Sequence, residues 1–206
     1  MLLEGSLRKF PVKSSGTALL FFLALFEMKG EPLKTQTWDD FSKTDSWSIH
    51  YRRNSFGSIS ASQNELPART ESGSYLKISY SGEKGSGFRL KKTPPVFLEG
   101  CTFQLSIDIF GYGDFMEFYA DFRDTRNQFH RISAGIIKHR GWKTIQIPLS
   151  GIRARRIQLN RGLDGIHLEG FYIKNSITEG KLHFLLDELI SVSGPCTRET
   201  KKSPLK

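Results

Sequence analysis

The chain has 206 residues and a formal net charge of +9, with 16 Phe, 6 Tyr, 3 Trp and 19 Gly. This length supports one domain with a sizeable core. The frequent aromatics and glycines exclude a disordered chain and favour short strands joined by turns. The basic balance favours anionic partners, namely acidic proteins, anionic glycans, lipid headgroups or nucleic acid, or else serves solubility alone.

The first segment, residues 1–30, predicts a secretory signal peptide. Arg8, Lys9 and Lys13 precede the apolar run Ala18–Phe26. That run is too short for a stable membrane span, which needs roughly 20 residues, but it suits the hydrophobic region of a signal. We therefore expect export with no stable membrane span. The alternative is an uncleaved amphipathic or buried segment.

The folded domain is predicted over residues 36–194 and opens at Trp38-Asp39-Asp40-Phe41. Short runs bounded by Gly, Pro, Ser or Asn predict the first strands at Trp47–Tyr51, Ser55–Ser62 and Tyr75–Tyr80. Gly85–Leu90 predicts a short, exposed strand. Lys91–Pro95 predicts a rigid linker, because proline cannot donate to the ladder of a central strand.

The middle of the chain shows the clearest alternation. Thr102–Phe110 predicts a strand with Phe103, Leu105, Ile107 and Ile109 on a buried face and Thr102, Gln104, Ser106 and Asp108 on a wetter one. A turn at 111–114 leads to a returning strand, Phe115–Asp124, with Met116, Phe118, Ala120 and Phe122 on one face. A second turn leads to the strand Phe129–Ala134.

Three closing strands follow, at 145–149, 166–173 and 182–190. Gly141-Trp142-Lys143 precedes the first of them, which Pro148 ends. The total of about ten short strands without a crossover helix predicts an all-β, antiparallel jelly-roll sandwich. Residues 195–206 are polar and basic and predict a flexible tail.

Residues 102–192 carry an ordered series of short motifs. Met116–Asp124 ends in Asp, Phe129–Gly135 ends in Gly, and Gly141-Trp142-Lys143 leads to Ile147-Pro148. Gly162-Leu163, Gly170-Phe171 and Phe184–Leu189 close the series. This order resembles that of the spirochaete periplasmic flagellar filament outer-layer (sheath) proteins, within a jelly-roll fold similar to carbohydrate-binding modules and galactose-binding domains. The resemblance implies a non-enzymatic structural protein in the periplasm, associated with the flagellum, whose partners are the core and sheath proteins of the filament.

Ten basic side chains and one acidic one lie in residues 123–161, mostly in or beside turns. If these turns share one end of the sandwich, they form a basic docking surface for an acidic partner. The alternative is scattered solubilising charge. No fold signature of nucleic-acid binding is present. The residues predicted to bind the partner are Arg140, Lys143, Arg153, Arg155, Arg156 and Arg161.

Aromatic residues near turns give the alternative function, a module that binds periplasmic or cell-surface glycan. Tyr112, Phe115 and Tyr119 are the candidate stacking residues. A third interpretation is an assembly factor of the respiratory-complex-associated jelly-roll type, which the expected export disfavours. Catalysis has little support, because the chain contains none of the familiar nucleophile, metalloprotease or phosphate-loop motifs.

Two further features concern stability. Asp40 and Asp187 lie at the start of the domain and in its last strand, where jelly-roll modules often hold a structural calcium ion. The alternative is surface carboxylates paired with lysine. No other cofactor is expected. Cys101 and Cys196 flank the second half of the domain and are candidates for a disulfide in an exported protein.

Overall fold

The computed structural model describes residues 32–51, 55–63, 74–99, 101–149, 165–176 and 180–194. These residues form eleven strands and no helix. The strands are β1 (Lys34–Asp39), β2 (Trp47–Tyr51), β3 (Phe56–Gln63), β4 (Ser74–Gly82), β5 (Gly87–Leu98), β6 (Thr102–Tyr112), β7 (Met116–Asp124), β8 (Phe129–Ile137), β9 (Arg140–Pro148), β10 (Ile166–Asn175) and β11 (Gly180–Ser193). The predicted segments 1–30 and 195–206 lie outside the described residues.

The strands form two antiparallel sheets. The six-stranded sheet has the order β3-β4-β11-β6-β9, and β1 also pairs with β11. The five-stranded sheet has the order β2-β5-β10-β7-β8. β11 is long enough to pair with two strands along one edge. Its residues up to Leu186 pair with β4, and its residues from Leu189 onwards pair with β1. The predicted all-β jelly-roll sandwich is confirmed.

Apolar side chains from both sheets meet in one core. The returning strand β7 shows the alternation predicted for it, since Met116, Phe118, Ala120 and Phe122 are all fully buried. Trp47 stacks between Phe41 and Phe171, at ring-centroid distances of 5.3 and 5.9 Å. Large side chains alternating with polar ones therefore bury one face of each sheet.

Two aspartates on the outer face of the six-stranded sheet are more buried than the sequence predicts. Asp108 in β6 is only 6% exposed, and its register partner in β11, Asp187, is fully buried. Both lie on the face that also carries Leu185, Phe110 and Trp142, and the last two rings pack 5.4 Å apart. The predicted wetter face therefore fails at Asp108 and Thr102, which are buried, and holds at Gln104 and Ser106, which are half-buried.

The predicted linker Lys91–Pro95 is instead part of β5, in the interior of the five-stranded sheet. The register with β10 shifts between Leu168, which pairs with Val96, and Gly170, which pairs with Lys91. The prolines fall inside this shift, where β5 bulges and needs no ladder hydrogen bond from them. Gly85–Leu90 is likewise wrong as an exposed strand, since Phe88 and Leu90 belong to the core.

Among the described residues, no helix is long and apolar enough to cross a membrane.

Candidate functional site

The outer face of the five-stranded sheet carries polar and aromatic side chains in register. One row crosses all five strands, because each of its members is the backbone partner of the next. Side chains in register on one face of a sheet are close neighbours. The row is His50, Arg89, Tyr172, Tyr119 and Ser133.

A cleft of about 600 Å³ lies on this face. Its volume falls within the range of roughly 300–1,000 Å³ that is typical of ligand sites. The lining combines aromatic rings with charged side chains from β2, β5, β7, β8 and β10. The lining residues are His50, Tyr51, Gly87, Phe88, Arg89, Lys91, Arg123, Arg131, Glu169 and Tyr172.

Asp121 of β7 anchors the arginines of the cleft. Its carboxylate is fully buried, although it alternates with core residues and therefore belongs to the outer face. Arg131 donates to it from Nε at 2.7 Å and from Nη2 at 2.9 Å, and Arg89 Nε lies 2.9 Å from Oδ2. A buried carboxylate needs such partners, since an unpaired one would lose its hydration without compensation.

The same contacts fix Arg131 over the aromatic residues. Its guanidinium carbon lies 4.0 Å from the centroid of the Tyr172 ring and 5.5 Å from that of Phe129. The hydrogen bonds to Asp121 raise the pKa of Arg131 above its usual range. Arg131 is therefore a permanently charged part of the cleft, held in one orientation by a carboxylate and by an aromatic ring.

Two more carboxylates of this face form ion pairs or hydrogen bonds with neighbouring side chains. Glu169 pairs with Arg123, whose Nη2 lies 3.3 Å from Oε2. Glu117 accepts hydrogen bonds from the Tyr119 hydroxyl, from Ser176 Oγ at 2.9 Å and from Lys174 Nζ at 3.1 Å. These pairs leave little freedom to the side chains that border the cleft.

The predicted partner-binding residues are only partly described. Arg140 and Lys143 lie on β9, at the edge of the six-stranded sheet. Arg153, Arg155, Arg156 and Arg161 lie outside the described residues, so the predicted docking surface stays a prediction. Two other basic residues of the segment 123–161, Arg123 and Arg131, instead line the cleft on the five-stranded sheet.

The three predicted stacking residues do not come together. Tyr119 lies in the row beside Tyr172, with ring centroids 6.0 Å apart. Tyr112 ends β6 in the other sheet, where its ring packs 5.0 Å from Phe110, and Phe115 lies between β6 and β7. Both are more than 40% exposed, but neither lines the cleft.

The two predicted calcium ligands differ in environment. Asp187 is fully buried on β11, whereas Asp40 is exposed and accepts a hydrogen bond from the Ser42 amide at 3.0 Å. Within the described residues, no group of three or more His, Cys, Asp or Glu side chains is arranged to hold a metal ion. The structure therefore does not join Asp40 and Asp187 in such a group, and calcium binding stays a prediction.

The neighbouring Asp39 is engaged by protein groups. Its carboxylate accepts hydrogen bonds from the Phe41 amide at 2.7 Å and from Trp47 Nε1 at 2.9 Å, and it pairs with Lys92. Lys92 is 8% exposed and also lies 2.6 Å from Ser46 Oγ. The ammonium group of Lys92 thus compensates the charge of this carboxylate.

Cys101 is buried. It precedes β6, whose first residue, Thr102, pairs with Ser193 at the end of β11. The Cys101 carbonyl also accepts a hydrogen bond from the Gly194 amide at 3.2 Å. Cys196 lies outside the described residues, so its pairing with Cys101 stays a prediction.

Sequence reasoning missed most of the cleft. Arg89 lies in a strand predicted as short and exposed, and Lys91 in the segment predicted as a linker. Tyr172 and Asp121 lie in correctly predicted strands, on the faces opposite their core residues. The alternation of β7 and β10 was a usable signal, because it places Tyr119, Asp121 and Tyr172 outward. The sequence could not show that these three residues are neighbours, because that depends on which strands pair.

Comparisons of the sequence with family models and with curated proteins give no match. The fold is similar to that of a family 11 carbohydrate-binding module from a cellulosomal cellulase of Clostridium thermocellum. The TM-score is 0.52 at 15% identity, over 80% of this chain and 97% of that module. A family 11 module from the same organism, in complex with a β-1,3-1,4-mixed-linked tetrasaccharide, gives 0.51 at 16% identity, over 78% and 96%.

A third similar structure is a carbohydrate-binding module of the β-sandwich superfamily. Its TM-score is 0.52 at 14% identity, over 71% of this chain and 56% of that one. Identities of this size show a shared fold and nothing finer. The chain therefore has the jelly-roll fold of carbohydrate-binding modules.

Proposed function

We propose that the protein binds carbohydrate in the cleft on the five-stranded sheet. The observation that carries this proposal is the row that crosses the sheet, in which Tyr172 lies between Arg89 and Tyr119. Sugars present apolar C–H faces that pack on aromatic rings and hydroxyls that hydrogen-bond to polar side chains. A cleft that offers both kinds of contact suits them.

The fixed side chains of the cleft support this proposal energetically. Binding costs free energy when side chains must be ordered, roughly 0.5–1.5 kcal/mol for each long side chain. Arg131 and Arg89 are already held by Asp121, and Arg123 by Glu169. Because these side chains are ordered in the free protein, more of the contact energy remains for a ligand.

The fold comparisons give independent support, since carbohydrate-binding modules share this sandwich. The filament role predicted from the sequence draws no support from them. Four of its six proposed docking residues lie outside the described residues. It stays a prediction, as does the expectation that the protein is not an enzyme.

A substitution at the centre of the row tests the proposal. A panel of soluble polysaccharides is titrated into the protein by calorimetry, and the best ligand is compared across variants. Tyr172→Ala removes the central ring and should weaken binding at least tenfold. Tyr112→Ala, an exposed tyrosine on the other sheet, should change binding less than twofold.

The outcomes are separable. Absence of binding to every polysaccharide would overturn the proposal. Binding that Tyr112→Ala abolishes and Tyr172→Ala leaves intact would place the site on the turn predicted from the sequence, and would overturn the assignment to the cleft. Circular dichroism of both variants checks that each is folded.

A further inference from the structure

We infer that the cleft selects acidic glycans, whose sugar units carry carboxylates, over neutral ones. This inference rests on the proposed function and names the chemical class of its ligand. It follows from the charges of the cleft, from the engagement of its carboxylates and from the position of one lysine.

The charges of the cleft do not cancel. Arg123 and Glu169 form one neutral pair. Arg89 and Arg131 share the single carboxylate of Asp121, which leaves one positive charge in excess. The Lys91 side chain is exposed and makes no ion pair or hydrogen bond with the described residues, so it adds a second positive charge. A cleft with excess charge of one sign attracts ligands of the other.

The hydrogen-bonding groups of the cleft that remain available to a ligand are mostly donors. Both oxygens of Asp121, of Glu169 and of Glu117 already accept hydrogen bonds from protein donors. The described polar contacts of Arg89 use only its Nε, so both of its Nη groups remain, as does the Lys91 ammonium. The free groups are therefore mainly donors. A sugar hydroxyl both donates and accepts, whereas a carboxylate only accepts and matches such a site better.

The register brings these donors together. Lys91 and Asp121 are the two partners of Gly170, on either side of β10. Glycine contributes no side chain to this row, and the β10 side chains that reach the cleft are the neighbouring Glu169 and Tyr172. Arg89 lies two residues before Lys91, on the same face of β5. The planar guanidinium of Arg89 can donate two parallel hydrogen bonds to a carboxylate, and the Lys91 ammonium is a nearby positive charge.

The test compares ligands that differ only in charge. Polygalacturonate and alginate are titrated into the full chain beside their carboxyl-reduced forms, which keep the backbone but lack the anion. We expect at least one of the two acidic polymers to bind at least tenfold more tightly than its reduced form. We also expect that advantage to shrink as salt rises from 50 to 500 mM, because salt screens the attraction.

Two lysine variants locate the effect. Lys91→Gln should lower affinity for the acidic polymer by about three- to tenfold and lower affinity for the reduced polymer by a smaller factor. Lys84→Gln is the matched control, because Lys84 is an exposed lysine in the turn between β4 and β5. It should change neither affinity. Neither lysine has a described partner, so both variants are expected to fold.

Each result bears on a different statement. Equal or tighter binding of the reduced polymers would overturn the inference and leave the proposed function standing. Binding of dextran sulfate more tightly than both acidic polymers would overturn selection for carboxylates in favour of general polyanion attraction. Failure to bind any polysaccharide, acidic or neutral, would overturn the proposed function itself.

Discussion

At the scale of single residues, carboxylates on the outer face of the five-stranded sheet hold their neighbours in place. Glu117 shows the effect most clearly. Hydrogen bonds from the Tyr119 hydroxyl, Ser176 and Lys174 stabilise its ionised form and lower its pKa from 4.5 to about 2. The same contact raises the pKa of Tyr119, because the hydroxyl donates to a carboxylate. One glutamate therefore fixes a tyrosine of the row and a lysine of β10.

This shift predicts a pH dependence of stability. The folded pKa of Glu117 is depressed, so its contribution is fully present above about pH 4.5 and is lost as pH falls towards 2. The difference in free energy of unfolding between the native protein and Glu117→Gln should therefore be constant above pH 5 and shrink below pH 4.5. Urea unfolding at several pH values measures it.

Tyr119→Phe provides the control, because it removes the largest cause of the shift. The titration midpoint of Glu117, followed by carboxyl NMR, should then rise towards 4.5. A midpoint near 4.5 in the native protein, or one that Tyr119→Phe leaves unmoved, would contradict the assignment.

At the scale of elements, the floor of the cleft depends on one irregular place where β5 and β10 pair. β5 carries two prolines inside the sheet by bulging between Lys91 and Val96. Opposite this bulge, Gly170 has a φ of +142° and passes close to β5. A Cβ at this position would lie 2.0 Å from the Leu90 carbonyl oxygen. Only glycine permits this approach, so the register of three strands depends on it.

Gly170→Ala should therefore destabilise the protein by at least about 2 kcal/mol, because backbone atoms cannot move aside as a flexible side chain can. The matched control is Gly135→Ala in β8. It has a φ of +105° but no atom within 4 Å of the added carbon, so it measures the conformational cost alone. We expect that cost to be about 1 kcal/mol. Chemical denaturation compares the two, and equal losses would contradict the steric argument.

At the scale of the whole molecule, the ends of the described domain meet along β11. β1 pairs with residues from Leu189 to Ser193, and β6 pairs with the same stretch from its other edge. Cys101 directly precedes β6, and its carbonyl accepts a hydrogen bond from the Gly194 amide. A disulfide from Cys101 to Cys196 would link the start of β6 to the chain after β11 and would restrict the unfolded chain.

If Cys101 and Cys196 form a disulfide, the stability of the protein should depend on redox conditions. Reduction should lower the free energy of unfolding by about 2–4 kcal/mol, because it releases a long closed loop. Urea unfolding with and without reductant measures the loss, and a Cys101→Ala, Cys196→Ala double variant should no longer respond. Free thiols in the native, unreduced protein would show that the pairing is wrong.

The sequence by itself determined the strands and their faces. The alternation of β6 and β7 is a local property of period two, so Leu105, Ile107, Phe118 and Phe122 could be assigned to the core before any partner was known. The sequence was misleading at Lys91–Pro95, because proline in a strand normally indicates an edge strand or a linker. There the bulge removes the need for the missing donor.

Only the tertiary structure decided which outward-facing side chains form a site. Asp121, Arg89 and Tyr172 come from strands far apart in the chain, and the pairing of β5, β10 and β7 makes them neighbours. The same pairing buries Asp121, separates Tyr112 from Tyr119, and gathers Arg123 and Arg131 away from Arg140. Strand pairing is a long-range property of the whole sandwich, and the local alternation that reveals a strand carries no information about its partner.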